Sequence, residues 1–251
     1  MATLQDSLWV YVILFLLGAG AYIVSTLSGG GGSLLLVPSI GFFLGAKAAP
    51  PLINLGNLIG EPVRILLFWK DIQWRIVRYY LPSAIIGTVT GAFVFTNLKL
   101  EWLQVVIGLF LISTVFQYRF GKKDKSFKMP LKGFVPLGFF VEFFSTLIGA
   151  TGPVLNPFYL NYGLEKEEMI ATKTMNSFLI GLAQISSYAA LGALKGKLWL
   201  WGLALGLGAS AGNWLGKRFL KKLSNEGFRK WAIAMMVLSG IIMIAKQMAE
   251  F

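Results

Sequence analysis

Residues 25–33 read STLSGGGGS. Four consecutive glycines interrupt a run that is otherwise apolar, with LWVYVILFLLGAGAYIV before them and LLLVPSIGFFLG after. One internal glycine costs a helix about 1 kcal/mol against alanine. Four together therefore read as a break between two apolar segments.

The rest of the chain says what surrounds that break. Of 251 residues, 56% are hydrophobic and 14% charged, against about 25% charged in an ordinary soluble domain. Several apolar runs approach the roughly 20 residues needed to cross a bilayer. The expected fold is an all-α polytopic membrane protein, placed in a cell (plasma) membrane. The N-terminal MATLQDS lacks the basic n-region of a cleaved signal peptide, so the first apolar run is expected to be kept.

Cysteine and histidine are absent. That excludes disulfides, thiolate or imidazole metal sites, and nucleophilic chemistry built on Cys or a His base. No spacing suggests a Ser–Lys pair or a carboxylate-only metal site. No metal, cofactor or enzymatic activity is expected. The net charge of +12 would suggest nucleic acid in a soluble protein. Here it marks cytoplasmic loops under the positive-inside rule, and no nucleic-acid partner is expected.

Apolar stretches fall at about 8–27, 34–45, 51–69, 79–96, 102–118, 133–148, 153–162, 169–191, 198–216 and 230–249. Two of them, 34–45 and 153–162, are too short to span, and each follows a glycine break, GGGGS at 29–33 or GATG at 149–152. The loops 119–132, 217–230 and 70–78 hold six, six and three of the 23 basic residues. Placing these loops inside leaves 133–162 starting and ending on the cytoplasmic side, as a re-entrant hairpin. By the same logic 8–45 is a hairpin that begins and ends outside, and both termini are outside.

The two halves resemble each other. STLSGGGGS at 25–33 lines up with STLIGATGP at 145–153, LIG at 58–60 with LIG at 179–181, and GTVTG at 87–91 with GASAG at 208–212. The offset is about 120 residues throughout. The expected first repeat is 1–118 (hairpin 8–45, spans 51–69, 79–96 and 102–118). A basic cytoplasmic linker covers 119–132. The second repeat is 133–251 (hairpin 133–162, spans 169–191, 198–216 and 230–249). A hairpin plus three spans is an odd number of crossings, so the repeats are inverted, a signature of secondary transporters.

Three stretches carry a family likeness: GGGGSLLLVP at 29–38, ATKTMNS at 171–177 and GASAGNWLGKR at 208–218. In this order, and with the duplication, nearly the whole chain resembles the TauE/SafE family of anion transporters, the sulfite exporters. The resemblance implies secondary transport, by export or uptake, of a small sulfur-containing anion such as sulfite, thiosulfate or an organosulfonate. Two stretches depart from the family pattern: INLGNLIGEP at the start of the third apolar run, and the reduced second tip GATG.

The candidate substrate site lies at the breaks. Irregular backbone in hydrocarbon survives only where protein or a water-filled cavity covers it, and glycines let backbone N–H groups approach a ligand. A helix starting beyond the break adds a positive dipole end. Gly29, Gly30, Gly31 and Gly32 in the first tip, and Gly149 and Gly152 in the second, would meet near the midplane. Close helix packing is the competing reading. Ser33, Thr151, Asn54, Asn57, Asn156, Thr172, Thr174 and Asn176 would donate neutral hydrogen bonds to an oxyanion, or bond between helices. Lys173 is the best placed cation to attract an anion, or snorkels to the interface.

Charges inside spans are functional hypotheses by default. Glu61 and Arg64, three apart, share a helix face and form an ion pair or a coupling site. Glu142, in VPLGFFVEFFSTL, has no cation near it in sequence, and is a candidate proton carrier or the partner of a basic residue on another helix. GTVTG and GASAG read as packing faces. The partners are a small anion, H⁺ as coupling ion, and the lipid bilayer. An anion channel of the same fold and a non-transporting membrane subunit are the alternatives.

Overall fold

The computed structural model describes residues 8–30, 32–44, 48–95, 109, 127–148, 152–192 and 194–228, with scattered positions from 230 to 245. The expected span 102–118, most of 230–249 and most of the 119–132 linker lie outside the described residues, as do Gly31, Gly149 and Thr151.

The described residues form eight α-helices and no strand. The first, α1 (Leu8–Ser28), is the described helix long and apolar enough to cross a membrane by length and composition. It stops at the glycines by a specific device. Gly29 has φ +67° and Gly30 φ +135°, and the Gly30 N–H donates to the Ser25 carbonyl at 2.8 Å. This is the six-to-one closure of a Schellman turn, which needs a left-handed residue just past the helix end. The chain reverses and α2 (Gly32–Leu44) begins at once, packed on α1.

Next comes α3 (Ala49–Leu67), opened by prolines at its first positions, where the missing N–H costs nothing. Its internal Pro62 removes one backbone hydrogen bond beside Glu61. A 3₁₀ turn at Trp69–Asp71 leads to α4 (Trp74–Phe95).

The second glycine stretch also lies between two described helices. α5 (Phe134–Ile148) ends before the GATG stretch, a 3₁₀ turn covers Gly152–Leu155, and the short α6 (Asn156–Tyr162) follows. Gly163 ends α6 at φ +110°. α7 (Lys166–Ala190) starts with a capping box between Glu165 and Glu168, which satisfies two orphan N–H groups. α8 (Leu198–Leu220) completes the described helices.

The packing sets α7 against α3 and α4. Other close pairs are α1 with α8, α3 with α8, and α4 with α5, and α2 packs on α1 and α3. The small-residue motifs explain how near these helices come. A Cβ built on Gly87 or Gly91 of α4 would run into the backbone carbonyls of Phe139 and Phe143 on α5. One built on Gly208 or Gly212 of α8 would run into those of Phe15 and Ala19 on α1. GTVTG and GASAG are therefore packing faces with backbone-to-backbone contact. Large apolar side chains such as Leu16, Leu66, Ile86, Phe93 and Leu203 face outward, as a lipid-facing surface requires.

Candidate functional site

A cavity of about 120 Å³ lies where the first tip meets α3, α5 and α7. It is far smaller than the pockets of about 300–1,000 Å³ that hold drug-sized ligands, and its size suits a small oxyanion with a little water. Two of its elements are the tip glycines and the start of α2: Gly29, Gly30, Gly32 and Ser33 line it. The first N–H groups of a helix have no partner within it, so the start of α2 presents donors there.

α3 contributes Asn54, Asn57, Glu61 and Arg64, one face at helical spacing. Arg64 is buried and held from two other helices. Its Nε–H donates to Asn213 Oδ1 of α8 at 2.9 Å, and Nη2 donates to Thr26 Oγ1 of α1 at 2.9 Å. Asn213 is itself oriented, since its Nδ2 donates to the Gly60 carbonyl at 2.9 Å. The guanidinium also lies 5.7 Å from the Tyr22 ring centroid, within cation–π range. These contacts fix the planar group while Nη1 keeps its donors, with no hydrogen-bond partner among the described residues. Glu61 and Arg64 share the cavity, with no ion pair between them within 4.0 Å.

α7 contributes Lys173, Thr174 and Asn176. The Lys173 ammonium donates to the Gly29 carbonyl and to Asn156 Oδ1, while Asn156 Nδ2 donates to the Ser28 carbonyl at 3.3 Å. Lys173 and Asn156 thus clasp the first tip from the region of the second. Asn156 sits beside the cavity without lining it. Asn176 donates to Tyr159 Oη at 2.9 Å, and its Oδ1 is buried without a partner among the described residues. Thr172 lies elsewhere: it accepts the backbone N–H of Gln73 at 2.9 Å and pins the start of α4. Gly152 opens the 3₁₀ turn before α6.

From α5, Glu142 reaches the cavity, with its Oε1 accepting the Tyr80 hydroxyl at 2.6 Å. Its partner is a tyrosine of α4, where the sequence offered a proton-carrier role or a basic partner. Two cations and two carboxyl groups therefore share one small space.

Several lining or supporting residues escaped sequence reasoning: Tyr22, Ser25, Ser145, Ser177 and Gln184 in the wall, and Thr26 and Asn213 behind Arg64. The usable signal was polarity within apolar helices. Ser177 falls four residues after Lys173, and Asn213 directly follows GASAG.

Residues 14–243 match the family described as sulfite exporter TauE/SafE. No curated protein and no solved structure matches the chain. With the match running over nearly its whole length, the chain belongs to the sulfite exporter TauE/SafE family of integral membrane transporters.

Proposed function

We propose that this protein is a secondary transporter that exports a small sulfur-containing oxyanion, such as sulfite, thiosulfate or an organosulfonate, across the cell membrane. The anion binds near the midplane between the two glycine breaks. The observation that carries this reading is the fixed Arg64 guanidinium lining a cavity of about 120 Å³ beside the first tip. A guanidinium with free donors suits a planar or tetrahedral oxyanion better than a point cation does. The start of α2, with Gly32 and Ser33, adds neutral donors.

Alternating access by inverted repeats is supported by the packing. In the proposed duplication α1, α2, α3 and α4 correspond to α5, α6, α7 and α8. Exchanging the halves turns the α1–α8 contact into α5–α4, turns α3–α8 into α7–α4, and leaves α3–α7 unchanged. All of these pairs occur. Protons are the proposed coupling ion, because the cavity holds carboxyl groups beside the cations.

The test is thermal unfolding of the purified protein with sulfite, thiosulfate, sulfoacetate, sulfate and chloride. A ligand at a hundred times its Kd stabilises by about 2.7 kcal/mol, roughly 5–10 °C for a chain of this size. A sulfur oxyanion is expected to give such a shift and chloride to give none. If no oxyanion moves the melting temperature, the central site is wrong.

A further inference from the structure

We propose that Glu61 carries a proton whenever the anion is bound, so that one proton enters the site with each anion. This rests on the transport reading above and assigns the coupling residue within it.

The geometry separates the two carboxyl groups. Glu142 has a strong donor, the Tyr80 hydroxyl at 2.6 Å, which is what an ionised carboxylate requires. Glu61 is only 5% exposed, and its Oε2 faces no donor among the described residues. An ionised oxygen buried in that state bears its full desolvation penalty. A protonated one reverses the situation, because its O–H becomes a donor in a cavity that must surround an oxyanion with donors.

The charge count points the same way. The titratable groups around Glu61 are Tyr22 from α1, Arg64 on its own helix, Glu142 from α5 and Lys173 from α7. From α8 comes Asn213, which does not titrate. With both carboxyl groups ionised, Arg64 and Lys173 are already balanced, and an incoming anion adds an uncompensated negative charge to a buried space. A proton on Glu61 restores neutrality for a monoanion and offsets one of the two charges of a dianion such as thiosulfate. Ser177 hydrogen-bonds the Glu61 carboxyl and still leaves Oε2 without a partner, and Asn176, one residue away, also has a buried oxygen with no partner among the described residues. A carboxyl O–H is the kind of donor that the Asn176 oxygen lacks.

The experiment measures the Kd of thiosulfate, sulfoacetate and sulfite across about pH 6 to pH 9 for the wild type, Glu61→Gln and Glu142→Gln. Thiosulfate and sulfoacetate keep their charge over this range. Sulfite titrates, equally for every variant, so its own contribution cancels in the comparison. A single linked proton weakens wild-type binding by about tenfold per pH unit once Glu61 ionises. Glu61→Gln mimics the protonated carboxyl and is expected to bind with that slope removed. Glu142→Gln is expected to keep it.

A wild type that binds with no slope overturns the proposal, as does a slope that survives Glu61→Gln. A slope that survives Glu61→Gln and disappears in Lys173→Met assigns the proton to the lysine. If no variant and no wild-type sample binds any of the three anions, the transport reading itself fails, which is a different result. If Glu61→Gln does not fold, Glu61→Asp decides: it keeps a titrating carboxyl and must keep the slope.

Discussion

Asn213→Asp tests whether Arg64 is the anion-binding cation. The substitution keeps the size of the side chain and keeps an oxygen 2.9 Å from Arg64 Nε. It replaces a neutral acceptor by a carboxylate. The loss is the Nδ2 hydrogen bond to the Gly60 carbonyl, worth about 1 kcal/mol. The gain is an ion pair with the guanidinium, so the folded protein should keep nearly its melting temperature. Anion binding should collapse. A bound oxyanion on the far side of the guanidinium lies roughly 6 Å from the new charge. At an effective dielectric constant of about 20, that is about 3 kcal/mol of repulsion, or on the order of a hundredfold in Kd.

Binding of radiolabelled sulfite to purified protein reads this directly, with the melting temperature as the folding control. Asn213→Ala serves as the neutral comparison, since it loosens Arg64 without opposing the anion and should weaken binding less. A folded Asn213→Asp protein that binds sulfite within about threefold of wild type would refute the assignment of Arg64.

Three further outcomes follow from the same geometry. Lys173→Met removes the ammonium bonds to Gly29 and Asn156, each worth about 1.5–3 kcal/mol; a lowered melting temperature and loss of sulfite uptake by proteoliposomes are expected. Gly87→Ala and Gly208→Ala push a methyl into the carbonyls of Phe139 and Phe15, at about 1–3 kcal/mol or more, whereas Gly20→Ala meets nothing within 4 Å and should gain about 1 kcal/mol, so thermal unfolding must show opposite signs. Tyr80→Phe strips Glu142 of its 2.6 Å donor and should destabilise by about 1–3 kcal/mol, while in an Asn- or Gln-substituted Glu142 background the same change should cost less than additively.

The first helical break was legible because glycine has few other uses inside an apolar run. Helix ends were less legible. α4 starts at Trp74, five residues before the apolar run at 79, and α8 continues to Leu220, past the run's end at 216. Hydropathy stops at Arg75, Arg78, Lys217 and Arg218, but backbone hydrogen bonding continues while the long side chains reach away from the apolar zone. Lys217 instead turns onto the buried Phe68 ring, 4.9 Å from its centroid, and donates to the Leu67 carbonyl. In the site, charges inside spans stood out, and Glu61, Arg64, Glu142 and Lys173 all reach one cavity. Rotational phase did not stand out. Thr172 precedes Lys173 by one residue, a turn of about 100°, which directs it to Gln73 and away from the cavity. Tyr22 and Ser25 sit on a helix whose apolar residues surround it on every side, so no stripe in the sequence shows which face is inward.

The proposed duplication explains the frame of the site and leaves its charges unexplained, which bears on mechanism. At offsets of 120 and 121 residues, Arg64 corresponds to Gln184 and Ile185, Glu61 to Gly181 and Leu182, and Lys173 to Ile53 and Leu52. No charge in α3 has a charged counterpart in α7. The packing contacts tolerate exchange of the halves, since they rest on small residues and backbone. The lining does not tolerate it. Rocking between two access states needs the first property, because the same interfaces must re-form on the other side. Holding a charged substrate in one orientation needs the second, because a lining equivalent from both directions would present two competing sites. Placing Arg64 and Glu61 on α3 and the tip-clasping Lys173 on α7 supplies both. In the proposed mechanism it also ties closure of the first tip to α7, across the cavity from the helix proposed to bind the anion.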